Sequence, residues 1–331
     1  MSTKSHAPTL VTNNVLDLDA YSRDDIECIL ENTNAMLEIL ERGIKKVPTL
    51  RGKTIINLFY EPSTRTRVSF EQAGKILSAD VINVTPETSS TTKGESLFNT
   101  ALTIQAMKAD TVVIRHPHAG APYFLAQKLD CSVINAGDGM HAHPTQGLLD
   151  IHTIIKHLGS LEGKKVTIVG DILYSRVART NLWALTKMGA KVVLCGPRTL
   201  IPPDFLNNAR NTEGHPFASI EVEGDLNLAI RDADVVMALR IQRERQRSRH
   251  LPSLLEYSRM YGITSQRMRH ASPDALVMHP GPINEGIEID SDVAHGARSL
   301  IEYQVTAGVA IRMALLCSAS AEQEPKDQGY I

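Results

Sequence analysis

The chain alternates short β-rich runs with helix-length stretches, and it does so twice. Runs rich in branched and aromatic residues fall at 54–59, 81–84, 111–114 and 132–135, with helical stretches such as 69–78 and 97–108 between them. Strands joined through helices need crossovers, and a crossover leaves its two strands parallel. The same grammar restarts at 164–169, 191–194, 234–239 and 275–278, with helical spacing at 179–188 and 225–231. The expected fold is therefore α/β, with two doubly wound parallel-sheet domains. A length of 331 residues suits two cores of ordinary size. Three further helices are expected. Residues 23–42 follow Ser22, an N-cap with Asp25 three positions on, and carry Ile26, Ile29, Leu30, Leu37 and Leu40 on one face. Residues 144–158 carry Leu148, Ile151, Ile154 and Ile155 and would link the two domains. A last stretch, 292–318, could by its pattern serve either core.

Charge and cysteine use exclude several classes of function. A net charge of −2 gives no global basic field, so neither nucleic acid nor an anionic membrane is an expected partner. Any anion site must be local. Cys28, Cys131, Cys195 and Cys317 lie far apart and form no C-x-x-C pair, which argues against a disulfide framework or a zinc knuckle and for a reducing cytoplasm. The first 14 residues are polar and lack the apolar stretch of a secretory signal. No apolar run approaches the roughly 20 residues of a membrane span. Residues 322–330 are polar and charged and read as a loose tail.

The chemically equipped segments nearly all follow an expected strand: 61–67, 115–118, 135–146, 170–176, 240–243 and 279–282. In open α/β sheets, ligands bind beyond the carboxyl ends of strands, so these loops are expected to converge on one cleft between the domains. Ser63-Thr64-Arg65-Thr66-Arg67 lies between a strand and a helix, where amides, hydroxyls and guanidinium groups can cradle a phosphate. The plainer reading of the same residues is an N-cap followed by two exposed arginines.

In sequence order, that segment, then Arg115-His116-Pro117, His143-Pro144-Thr145-Gln146 and His279-Pro280-Gly281-Pro282 resemble the motifs of the aspartate and ornithine carbamoyltransferase family. The resemblance covers nearly the whole chain. It implies that Ser63, Thr64, Arg65 and Thr66 take the phosphate of carbamoyl phosphate, Arg115 and His143 its carbonyl oxygen, and Gln146 its amide. Gly281 and Pro282 would touch both substrates through their backbone. Arg65, Thr66, Arg115 and His143 would be the catalytic groups, acting by charge stabilisation without a metal or another cofactor. The loop from Ser89 to Ser96 would come from a neighbouring subunit, with Ser89 and Lys93 reaching the adjacent site. A heterologous contact of that kind closes into a ring, here a homotrimer with shared sites, and regulatory or partner-enzyme chains stay open. The family likeness also sets the expected boundaries: a carbamoyl phosphate domain at 1–150 completed by the helix at about 292–318, an acceptor domain at 151–291, and a tail at 319–331.

The acceptor decides between family members. Arg176 and Arg240 follow separate strands, and two guanidinium forks suit a dicarboxylate, with Lys93 and Gln242 completing the set. The ornithine enzymes carry a cysteine in the loop corresponding to 279–282, and here no cysteine lies between Cys195 and Cys317. The expected acceptor is L-aspartate, which would make the reaction an early step of pyrimidine synthesis. Two positions depart from the family pattern: Gly281, where some relatives have leucine, and Glu285, where bacterial relatives often have arginine.

Other readings have specific failings. Gly170 ends a strand, but Asp171 and Ile172 follow without the second and third glycines of a dinucleotide fingerprint. The arginine-rich run from Arg240 to His250 contains Glu244 and no aromatic residue for base stacking. His141 and His152 flank His143, but no acidic or cysteine partner stands at a helpful spacing for zinc. A non-catalytic assembly paralogue would be expected to lose some of Arg65, Lys93, Arg115, His143, Arg176 and Arg240, and all are present. Another amino-acid acceptor, such as ornithine, remains the alternative inside the enzyme class.

Overall fold

The computed structural model describes residues 13–85, 96–207, 215–242, 245 and 253–320. Ser89 and Lys93 lie outside the described residues. The chain forms two compact units, one running to Thr145 and resuming at Gly308, the other spanning Gln146–Ala307.

The first unit opens with α1 (Arg23–Glu41), whose Ser22 and Asp25 form a reciprocal capping box. Then come β1 (Thr54–Phe59), α2 (Thr64–Ile76), β2 (Asp80–Val84), α3 (Leu97–Ala106), β3 (Thr111–His116), α4 (Ala121–Lys128) and β4 (Ser132–Asp138). The sheet is parallel throughout, in the order β2-β1-β3-β4. Ile55, Ile56, Leu58, Val112, Val113 and Ile114 of its inner strands are all buried, as are Val133 and Ile134 of β4, and they read as unbroken apolar runs. Phe70 of α2 is fully buried, and truncating it to alanine would cost about 3–5 kcal/mol. α2 starts five residues earlier than its apolar spacing suggests, because Ser63 caps it by accepting from Thr66 N.

The second unit takes most of α5 (Pro144–Leu158), then β5 (Lys165–Val169), α6 (Arg176–Lys187), β6 (Lys191–Cys195), α7 (Pro203–Leu206), β7 (Glu221–Val222), α8 (Leu226–Ala229), β8 (Val235–Ala238), α9 (Leu254–Tyr261), β9 (Leu276–Met278) and α10 (Ser291–Ala294). Its parallel sheet runs β7-β6-β5-β8-β9. Tyr257, Tyr261, Met268 and Ile289 close its core against Val236 and Val277. α11 (Ile301–Ala319) begins here and enters the first unit at Gly308.

The single helix expected over 292–318 is broken. Val277 N donates to Arg298 O, and Leu300 N donates to Val277 O, both at 2.9 Å. Residues 298–300 therefore add a short strand-like contact to β9, whose backbone groups are better satisfied by that pairing than by water at a sheet edge. Only α10 and α11, on either side, are helical.

Candidate functional site

Strand order locates a crevice in each unit. In the first sheet the chain steps from β1 outward to β2, then crosses back to β3 and on to β4. Right-handed crossovers then send the connections after β1 and β3 to opposite faces, opening a gap beyond their carboxyl ends. In the second sheet the same reversal falls between β5 and β8.

The first gap holds the expected donor residues. Phe59 and Arg115 are register partners, and Tyr60 N donates to Arg115 O at 2.8 Å, so the turn after β1 is pinned beside Arg115. Ser63, Thr64, Arg65 and Thr66 form the cap and first turn of α2, where free backbone N–H groups and the helix dipole favour an anion. Thr66 is buried and Arg65 exposed. The Arg115 guanidinium spans the gap, donating Nη2 to Glu61 Oε1 at 2.7 Å and Nη1 to Ala136 O at 3.2 Å. It is thus held from the β1 side and the β4 side together.

His143 is buried directly before Pro144, which opens α5. Its approach is organised by Asp138, fully buried at the end of β4. One carboxylate accepts from Ala142 N at 3.1 Å, Gly120 N at 2.8 Å and Asn135 Nδ2 at 2.9 Å, and pairs with His141 Nδ1 at 3.1 Å. Burial pushes the Asp138 carboxyl up, but the bonds from His141, Asn135 and Gly120 outweigh it and leave it below the usual range. The bond to Asp138 raises His141 in turn. Gly139 turns the chain here with φ +50°, and a Cβ at this position would lie 2.9 Å from Ala119 N. A second support comes from Arg312 of α11, whose Nη2 meets Thr145 Oγ1 at 3.3 Å while its guanidinium lies 5.1 Å from the Phe70 ring. Neither Asp138 nor Arg312 was expected from the sequence, although an arginine inside the apolar run of α11 is a visible signal.

The second gap holds the expected acceptor residues. Arg176 is the first residue of α6, only 4 % exposed, behind the N-cap Ser175. Arg240 follows β8, the neighbour of β5 through Val169 and Ala238. Buried Asp171 staples the two loops, accepting from Tyr174 N and Gln242 N, each at 3.1 Å. Arg240 Nη2 in turn donates to Gln242 Oε1 at 3.2 Å. Gly170, with φ +131°, lets β5 end against β8: an added Cβ would lie 3.0 Å from Leu239 O. That glycine serves strand packing rather than a pyrophosphate.

After β9, the next strand over, Gly281 N donates to the Nδ1 of buried His279 at 2.8 Å. Pro282 has no N–H. Neither residue therefore has a backbone N–H left for a ligand, and only their carbonyl oxygens could meet one. Gln146, in the first turns of α5, donates Nε2 to Asp150 Oδ1 at 2.9 Å. Glu285, one of the departing positions, pairs with His295 at 3.1 Å. Among the described residues no group of His, Cys, Asp and Glu is disposed to hold a metal ion, and no helix is long and apolar enough to cross a membrane.

Two α/β units, each with cationic groups and backbone donors at its own strand reversal, define a protein that handles small anionic substrates. Comparison with known proteins gives the family. The profile of the aspartate/ornithine carbamoyltransferase carbamoyl-P binding domain matches residues 13–156, and that of the Asp/Orn binding domain matches residues 162–319. The chain belongs to the aspartate/ornithine carbamoyltransferase family. It is 57 % identical over 308 residues to an aspartate carbamoyltransferase catalytic subunit of Roseiflexus sp. (strain RS-1), covering 93 % of this chain and 95 % of that one. A Dehalococcoides mccartyi (strain CBDB1) subunit of the same name is 53 % identical over 310 residues, at 93 % and 92 % coverage. Among solved structures, aspartate transcarbamoylase from Trypanosoma cruzi in complex with carbamoyl phosphate and aspartate superposes with TM-score 0.82 at 30 % identity, covering 92 % of this chain and 96 % of that one. Ornithine carbamoyltransferase from Pyrococcus furiosus gives TM-score 0.81 at 29 % identity, with 93 % and 97 % covered.

Proposed function

We propose that this chain transfers the carbamoyl group of carbamoyl phosphate to L-aspartate, giving N-carbamoyl-L-aspartate and phosphate, in the synthesis of pyrimidines. The observation that carries the choice of acceptor is the pair Arg176 and Arg240 on adjacent strand ends, tied together through Asp171. Two fixed guanidinium groups match the two carboxylates of aspartate and have no use for a cationic side chain. The fold alone is neutral on this point, since enzymes named for either acceptor share it. The relatives at 57 % and 53 % identity carry the aspartate name.

The phosphate sits on Ser63, Thr64, Arg65 and Thr66 at the start of α2. Arg115 and His143 donate to the carbamoyl oxygen, Gln146 accepts from the carbamoyl amide, and the carbonyls of Gly281 and Pro282 accept N–H groups of the substrates. Gln242 supports the acceptor site beside Arg240. The aspartate amine attacks the carbonyl carbon, negative charge gathers on its oxygen, and the bond to the phosphate oxygen breaks. The departing phosphate takes the proton that the amine gives up. Fixed donors favour each change in charge, and loss of one such donor typically costs about 100- to 1000-fold in rate. Binding both substrates in line supplies much of the rest.

Ser89 and Lys93 complete the site from an adjacent chain of a homotrimer, Lys93 also meeting aspartate. The trimer works in the cytoplasm. The test is an acceptor panel with carbamoyl phosphate and phosphate release as the readout. Turnover with aspartate and none with ornithine is expected, and carbamoylation of ornithine without aspartate would overturn the proposal.

A further inference from the structure

The second unit contains a buried carboxylate with no assigned part in the chemistry. Asp150, on α5, is fully buried and receives three side-chain amides. Gln146 Nε2 and Gln304 Nε2 both donate to its Oδ1, at 2.9 and 2.8 Å, and Asn181 Nδ2 donates to Oδ2 at 2.8 Å. The other end of Gln304 is fixed as well, because its Oε1 accepts from His279 N at 3.0 Å. Asn181 lies on α6, the helix that begins with Arg176, and His279 opens the loop carrying Gly281 and Pro282.

Hydrogen-bond chemistry gives this arrangement a direction. A carboxylate only accepts, whereas a primary amide has a donating end and an accepting end that are nearly equal in shape. The end of each amide that faces Asp150 must therefore be its NH2 group. With Gln146 Nε2 committed inward, its Oε1 is the end left for a ligand, and an oxygen there recognises N–H rather than a carbonyl. The carbamoyl group carries an NH2 where its closest acyl analogue, acetyl phosphate, carries a methyl group.

We infer that Asp150 is a positioning residue that fixes the polarity of Gln146, so that the site selects a carbamoyl group over an acyl group of the same shape. The inference rests on the function proposed above. Through Gln304 the same carboxylate also anchors the backbone of His279, so amide recognition and the carbonyl-bearing loop share one support. A leucine at 150 would keep the volume and remove both acceptor oxygens, releasing Gln146 to turn its donor outward toward the carbamoyl NH2. An asparagine, by contrast, could keep its oxygen on Gln146 and Gln304 and turn its NH2 to Asn181.

The experiment compares binding of carbamoyl phosphate and acetyl phosphate, by competition and by calorimetry, in the wild-type chain and in Asp150→Leu. In the variant, carbamoyl phosphate is expected to bind about tenfold more weakly, the scale of one hydrogen bond, while acetyl phosphate and inorganic phosphate bind as before. Gln146→Met should lose the same discrimination, and adding it to Asp150→Leu should change little more. A leucine at 150 also leaves the Gln304 NH2 without its acceptor. Asp150→Leu/Gln304→Met removes that unpaired donor and is read in the same way should the single variant fail to fold. Undiminished preference for carbamoyl phosphate in the folded variant, or equal losses for carbamoyl and acetyl phosphate, would overturn the inference. A wild-type chain that binds neither compound would instead overturn the proposed function.

Discussion

At the scale of single residues, the proposed site separates donor from acceptor, and kinetics can separate them too. Arg65→Ala is expected to raise KM for carbamoyl phosphate and lower kcat by about 100-fold or more. Arg240→Ala should mainly raise KM for aspartate, by roughly tenfold or more. Steady-state kinetics with each substrate varied in turn checks the division, and equal effects on both would contradict it. These cations were legible in the sequence because they stand in clusters directly after strand-like runs. Asp138, Asp150, Asp171 and Arg312 were not. A single aspartate in a sequence looks like any solvated surface residue, and only the fold shows that each of these is buried among donors from other segments. Each has a partner 18, 31, 71, 154 or 167 residues away, beyond the reach of any local pattern.

Elements carry the next set of consequences. His152 on α5 is buried, and burial, helped by Lys156 and His157, pulls its pKa down to about 4 from the ordinary 6.5. The unfolded chain therefore binds more protons between those values, and stability rises with pH across that window. The contribution is complete above about pH 6.5 and is lost as pH falls toward 4. Thermal unfolding at pH 7.5 and pH 5 should show His152→Leu losing less stability on acidification than the wild type, by on the order of 2 kcal/mol. On α11, Arg312→Met should leave the fold intact and lower kcat about tenfold with KM for aspartate unchanged, since it frees Thr145 next to His143. Stopped-flow or steady-state rates beside a melting curve would check it.

Element by element, strands with four or more residues announced themselves through branched runs, whereas β7 has two residues and no pattern to show. α4 was missed because it starts at a left-handed glycine, places proline in its first turn and buries few side chains. α9 could have been found: Ser253 caps it, Glu256 follows three residues on, and Tyr257 and Tyr261 share its buried face. The broken final helix was illegible, because its cause is pairing with β9 about twenty residues earlier.

For the whole molecule, the proposed trimer with sites shared between chains predicts complementation. Arg65→Ala and Lys93→Ala homotrimers should each be nearly inactive. Subunit exchange in an equal mixture should restore about a quarter of the wild-type activity, because each mixed ring regains one complete site. Mixtures that stay inactive would argue for sites contained within one chain. Molecular organisation also bears on which way a substrate enters. The Gly281 amide is spent on His279 and Pro282 has none, so that stretch meets an incoming molecule with electron-rich oxygens alone. Such a wall attracts an amine and repels a carboxylate. Aspartate has both, and in the proposed site such a wall would sort its ends: the nitrogen would turn toward the loop and the acids toward the guanidinium groups. An α-hydroxy diacid of the same length would bring one proton in place of several, and would orient less surely.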